Sequence, residues 1–182
     1  MGRPRRHGGG DGAGVTIIIR PAVDEHAVLY PALERSAGQA FLAIPELAWI
    51  ANHTITPADD YYPHIAAGTV WEAVDTDGAP VGFLMAEGFP DHLHVLELSV
   101  ASTHQKLGIG RRLMETAVDH ARAAGLTAVT LTTFRSVPWN GPFYASLGYQ
   151  TLEPPLPGDL QAHIDDENAR GLTDRCAMRL AL

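Results

Sequence analysis

The segment Gln105-Lys106-Leu107-Gly108-Ile109-Gly110-Arg111-Arg112 has the residue types of an anion cradle. Gly108 and Gly110 let the backbone bend and let a ligand approach with no Cβ in the way. Apolar residues recurring from Ile109 at helical spacing predict a helix there. The first N–H groups of a helix have no partner within it, and they point outward at the positive end of its dipole. A pyrophosphate fits that position, and Lys106, Arg111 and Arg112 add local positive charge. Two other phosphate loops fail on spacing. A dinucleotide fingerprint needs a third glycine where Arg112-Leu113 follow. A Walker loop needs a Gly-Lys pair, which the chain lacks. On their own, the two glycines also fit a plain tight turn into a helix.

Groups able to move protons flank this segment. Glu97 stands between Leu96 and Leu98 in an apolar run, where a carboxylate is costly without a partner or a task. His92 and His94 precede it. Strict alternation would place them on the opposite face of a strand from Glu97, unless a bulge resets the parity. The two histidines lack a clear third ligand, so no metal site is expected. Tyr144 follows in Asn140-Gly141-Pro142-Phe143-Tyr144, and a phenol with a pKa near ~10 is a proton donor at neutral pH. Cys176 is the only cysteine, which excludes an internal disulfide and a multi-cysteine metal centre. Its neighbours Arg175 and Ala177-Met178 place it in a terminal strand rather than at a nucleophile's position.

The elements that must hold these residues follow from periodicity. Strands are expected over 15–20, 69–75, 80–87, 92–100, 127–134, 149–152 and 175–182. Asp77-Gly78 marks a hairpin between the second and third. Ile109, Leu113, Met114, Ala117, Val118 and Ala121 line one face of a long helix that Gly125 ends. Asn140 suits the cap of a short helix with Pro142 in its first turn, and a polar helix is expected near 159–169. Asp24 precedes a helical stretch that Pro31 interrupts or delays. The region 41–62, with Pro45 and Pro57, reads as short helices and turns. The order implies an α/β fold of the α+β kind, a mixed, mostly antiparallel sheet flanked by helices.

The chain's 182 residues suit one domain, expected over 15–182, behind a glycine- and arginine-rich disordered tail at 1–14. Thirteen Lys+Arg against 21 Asp+Glu give a net charge of −8, the wrong sign for a general nucleic-acid binder. No apolar run reaches the ~18 residues that span a bilayer, so no membrane role and a cytoplasmic location are expected.

At this point the sequence resembles the GNAT superfamily of acyl-CoA-dependent N-acyltransferases. Gln105–Gly110 matches that family's Gln/Arg-x-x-Gly-x-Gly/Ala loop. Trp139–Tyr149 resembles its Asn…Phe-Tyr-x-x-Leu-Gly-Phe segment, and Pro80–Glu87 resembles its third strand. The likeness runs from about Thr16 to Leu152. It implies that acetyl-CoA is the co-substrate, with the pantetheine arm along the backbone of Leu98, Ser99 and Val100. The pyrophosphate would lie on Gln105, Lys106, Leu107, Gly108, Ile109, Gly110 and Arg111. Asn140 would bond the cofactor arm, unless it only caps its helix. A main-chain N–H near Leu98–Val100 would polarise the acetyl carbonyl, and Tyr144 would protonate the leaving thiolate. Glu97 and His94 rank equally as the base, acting through water, with Glu87 third.

The expected activity is acetyl transfer to a primary amine by direct attack in a ternary complex, with no metal. The domain's acidity would favour a cationic acceptor. Trp49, Tyr61, Tyr62 and Trp139 are available to line its pocket, but the sequence does not identify it. The competing reading is an acyl-CoA-binding regulatory or accessory module with little turnover. The apolar terminal strand is also free to pair with a second subunit, giving a homodimer.

Overall fold

The computed structural model describes residues 16–53 and 55–182. The tail expected over 1–14, and Val15 at the head of the first expected strand, lie outside the described residues. The elements run β1 (Ile18–Pro21), α1 (Tyr30–Gly38), α2 (Tyr62–Ala66), β2 (Val70–Val74), β3 (Pro80–Gly88) and β4 (His92–Val100). They continue with α3 (Ile109–Ala123), β5 (Ala128–Phe134), α4 (Gly141–Ser146), β6 (Gln150–Thr151), α5 (Gly158–Ala169) and β7 (Arg175–Ala181). Short 3-10 turns cover Asp24–Leu29, Gln39–Ala43, Pro45–Asn52 and Ala58–Asp60. Pro31 sits in the first turn of α1, where its missing N–H is not needed, so it delays the helix rather than kinking it.

The seven strands form one sheet in the order β1-β2-β3-β4-β5-β7-β6. Its neighbours are antiparallel except for β4 and β5, which run parallel. α3 lays its apolar stripe on one face, burying Leu113, Met114, Ala117 and Ala121 against Leu84, Leu93, Val95, Val129 and Leu131. The opposite face carries a smaller core of Ala27, Tyr30, Tyr61, Phe83 and Met85, with Leu33 and Leu96 packed against it. A fully buried carboxylate ties α1 and the preceding turn to this face. Glu72 accepts 2.8 Å hydrogen bonds from Arg20 Nε and Tyr30 Oη and lies 2.8 Å from His26 Nδ1. Three partners offset the cost of its burial.

Two irregularities shape the centre of the sheet. Met85 pairs with Glu97 but Ala86 pairs with Val95, so Leu96 is an extra residue in β4, a β-bulge. The pairing of β4 with β5 stops at Val95–Leu131, whereas β5 stays paired with β7 as far as Phe134–Arg175. Beyond Val95, β4 follows β3 and leaves β5. The sheet opens there.

One expectation is corrected. The terminal strand is not a free edge for a second subunit. β7 inserts between β5 and β6, and its carbonyl at Ala177 also accepts from Leu152 N. The edge strands are β1 and β6.

Candidate active site

β4 leads through a short turn into α3, and that turn sits at the open side of the split. Lys106 and Gly108 both adopt left-handed backbone, with φ of +64° and +77°. Alternating left- and right-handed residues turn successive N–H groups toward one concave spot, a geometry that suits anions. Gly108 is the N-cap of α3, and no side chain caps this helix start. Gln105 Nε2 donates to Val100 O at 3.2 Å, pinning the turn to the end of β4. A Cβ at Gly110 would meet Phe143 at 3.6 Å and Leu98 at 3.8 Å, ordinary contacts. Packing within the chain therefore does not demand glycine at 110. Lys106, Leu107 and Arg111 are exposed, and Arg112 turns aside to donate to Ile17 O at 3.0 Å.

α4 closes the other side. A Cβ at Gly141 would run into the carbonyl of Arg135 and lie 3.0 Å from that of Phe134, so only glycine lets α4 start against the end of β5. Asn140 does not cap this helix through its side chain. Its Oδ1 is instead buried with no hydrogen-bond partner among the described residues, an acceptor left open. One turn on, Tyr144 is 8% exposed and packs beside Phe143 and Tyr149. Burial first, and then the nearby carboxylate of Glu97, push its phenol well above the ordinary value, with Arg175 pulling the other way. Tyr144 holds its proton.

The bulge settles the parity that counting left open: His94 and Glu97 share a face. Their surroundings differ. His94 is 1% exposed, lies 2.9 Å from Thr130 Oγ1 through Nδ1, and stacks on His163 of α5 with ring centroids 4.2 Å apart. Burial, helped by His163 and His92, lowers its pKa to about 3, so it is a neutral and weakly basic ring. Glu97 is half-buried beyond the bulge, where β4 and β5 have parted, and it accepts a 2.6 Å bond from Ser99 Oγ. Burial and the facing carboxylate of Glu34 raise its pKa to about 7, against the Ser99 hydroxyl and Arg175. Glu87, the third candidate, is exposed near the far end of β3.

Several residues at this face escaped the sequence reading. Glu34 of α1 accepts from Tyr61 Oη at 3.0 Å and from Thr56 N at 3.2 Å, joining the segment from Thr56 to Tyr61 to the face that carries Glu97. Arg175 of β7 is clamped by Glu167 of α5 through Nε at 2.8 Å and Nη2 at 2.6 Å, and its guanidinium lies 4.6 Å over the Phe134 ring. Thr132 Oγ1 donates to the same Glu167. No periodic pattern marks these pairs, because each joins two different elements. Ser99 was read for its backbone alone, yet its hydroxyl holds Glu97.

A mixed sheet that parts between two parallel strands, with an uncapped glycine turn and a protonated tyrosine at the opening, makes this an α/β domain of the acyltransferase type. Solved structures share the fold. It overlays on an N-acetylglutamate synthase from Neisseria gonorrhoeae, solved with coenzyme A and N-acetyl-glutamate, with a TM-score of 0.69 at 20% identity. That match covers 92% of this chain and 35% of the synthase, so the chain spans about a third of that protein. The PaiA N-acetyltransferase from Thermoplasma acidophilum, solved with coenzyme A, matches with a TM-score of 0.68 at 16% identity over 92% of this chain and 99% of its own. The Escherichia coli ribosomal-protein-S18-alanine N-acetyltransferase matches with a TM-score of 0.62 at 15% identity, over 91% and 94%. The family model described as the acetyltransferase (GNAT) family matches residues 39–149, and the chain belongs to that family.

Proposed function

We propose that this protein is an N-acetyltransferase that takes acetyl from acetyl-CoA and passes it to a primary amine by direct attack in a ternary complex. The observation that carries this reading is the meeting, at one opening in the sheet, of an uncapped helix start, a phenol that keeps its proton and a carboxylate with a raised pKa. The residues present fit the co-substrate. The pyrophosphate finds N–H groups at Leu107–Arg111, and the buried Oδ1 of Asn140 can accept from an amide of the pantetheine arm. The unpaired side of Leu98–Val100 runs beside the opening and can pair with that arm as a further strand would.

Acetyl-CoA supplies an activated acyl group as a thioester. Glu97, ionised above its raised pKa, takes a proton from the incoming amine directly or through one water. A main-chain N–H near Leu98–Val100 donates to the carbonyl oxygen as it gains charge. Tyr144 delivers its proton to the departing sulfur. His94 serves as a packed, neutral ring instead, since Thr130 and His163 occupy its polar edge and its face.

Calorimetric titration of the full chain with acetyl-CoA, followed by amine-dependent thiol release, tests the proposal. Micromolar binding, thiol release that requires an amine, and loss of binding in Gly108→Glu are the expected results. Binding without thiol release for any amine would leave the acyl-CoA-binding module, and no binding would remove the loop assignment.

A further inference from the structure

On the same face as Glu97, beyond the end of β5, lies a cleft of about 330 Å³. Ile44, Leu47, Phe134, Val137 and Pro138 line it, with Glu46 and Asp174 among its polar residues. Phe41 extends this apolar surface, its ring centroid 5.5 Å from Phe134 and 5.7 Å from the half-exposed Trp139. One side chain, Phe134, relates the wall of the cleft to the surroundings of Glu97 and Tyr144. Phe134 forms part of its wall, carries Arg175 on its ring, and ends the strand against which α4 and Tyr144 are set. Arg175 in turn acts on both Glu97 and Tyr144.

The charges around this cleft select among acceptors. Arg175 is not part of the cleft lining, and its charge is balanced by Glu167, to which it donates twice, so it presents no uncompensated cation to a substrate carboxylate. Asp174 Oδ2 already accepts from Ser136 N at 3.2 Å. Glu46 is exposed, and its attraction for a second ammonium is screened by water. What remains is apolar wall, which favours carbon over charge.

Building on the acetyltransferase reading, we propose that this cleft seats the carbon skeleton of the acceptor, a primary amine that carries a bulky apolar group the size of an aromatic ring. The amino group then reaches back past Phe134 toward Glu97. A carboxylate-bearing amine finds no cation there, and a polyamine leaves the apolar walls wet.

The test compares kcat/KM at saturating acetyl-CoA for 2-phenylethylamine, ethylamine, spermidine and glutamate. Burying a ring against these walls should favour 2-phenylethylamine over ethylamine by at least about tenfold, with spermidine and glutamate poorer than 2-phenylethylamine. Leu47→Trp, which fills the cleft, should reduce the ratio between 2-phenylethylamine and ethylamine about tenfold. A preference for spermidine or glutamate, or a Leu47→Trp loss equal for both monoamines, overturns the proposal while leaving acetyl transfer standing. A calorimetric titration of the CoA-bound protein with 2-phenylethylamine separates the two readings further. Binding that Leu47→Trp weakens supports the cleft even if no amine turns over, and no binding overturns it.

Discussion

Two protonation states set the chemistry at the scale of single residues. Tyr144 keeps its proton and Glu97 gives its proton up near neutrality, the states that the proposed mechanism asks of its acid and its base. Replacing Tyr144 by Phe should lower kcat about 10- to 100-fold with acetyl-CoA affinity within about twofold, because only the proton donor is lost. Equal loss in both would mark Tyr144 as a binding or packing residue. For Glu97, kcat at saturating amine should rise through an apparent pKa of about 7, and Glu97→Gln should remove that limb. The same group has a stability consequence of definite sign. A folded-state pKa raised above the unfolded value means the native state binds more protons between about 4.5 and 7, so its contribution to stability falls across that range as pH rises. Glu97→Gln should therefore gain stability relative to the parent as pH goes from 5 to 8, by on the order of 1 kcal/mol in chemical denaturation. A gain that is the same at both pH values would contradict the assigned shift. Glu97 and His94 were both visible in the sequence, but choosing between them required knowing which neighbours each meets. Thr130, His163 and Glu34 lie 36, 69 and 63 residues away from the group each one faces, and no local pattern reports such pairs.

At the scale of elements, the site depends on two backbone devices. The bulge at Leu96 turns Glu97 onto the same face as His94, and the close seating of Gly141 on Arg135 sets the start of the helix that carries Tyr144. Gly141→Ala must push α4 away from β5. The expected cost is about 1–3 kcal/mol in thermal or denaturant unfolding, with a fall in kcat as Tyr144 moves. Gly108→Ala is milder, because nothing lies within 4 Å of a Cβ there and only the φ of +77° resists it. It should cost roughly 1 kcal/mol of stability, while a larger loss of acetyl-CoA affinity would show that the added methyl also meets the ligand. Period and turn residues made β4 and α3 legible to within a residue of their observed ends, as apolar runs bounded by glycine, proline and aspartate should be. The bulge was not countable from the strand's own residues, since alternation has no marker for an inserted position. Asn140 looked like a cap, yet its side chain makes no such bond. The insertion of β7 between β5 and β6 is a pairing at long range, which periodicity does not encode.

For the whole molecule, charge and architecture act in opposite directions on the two substrates. The net charge of −8 repels an anionic donor and attracts an ammonium. The exposed side chains of Lys106 and Arg111, at the mouth of the α3 turn, offset that repulsion locally. Glu34 and Glu97 lie on the side where the acceptor is proposed to enter, so donor and acceptor meet local charge of opposite sign. Such long-range fields are screened over about 10 Å at 0.1 M salt. Raising ionic strength from about 0.02 to 0.2 M should therefore lower kcat/KM for a cationic amine roughly two- to fivefold at saturating acetyl-CoA, through slower encounter. Lys106→Gln combined with Arg111→Gln should weaken acetyl-CoA binding about tenfold at low salt and less at high salt, leaving the amine's salt response in place. If the double variant instead abolished the amine's salt response, the field would originate at the donor turn, and the assignment of opposite local charge to the two substrates would be wrong.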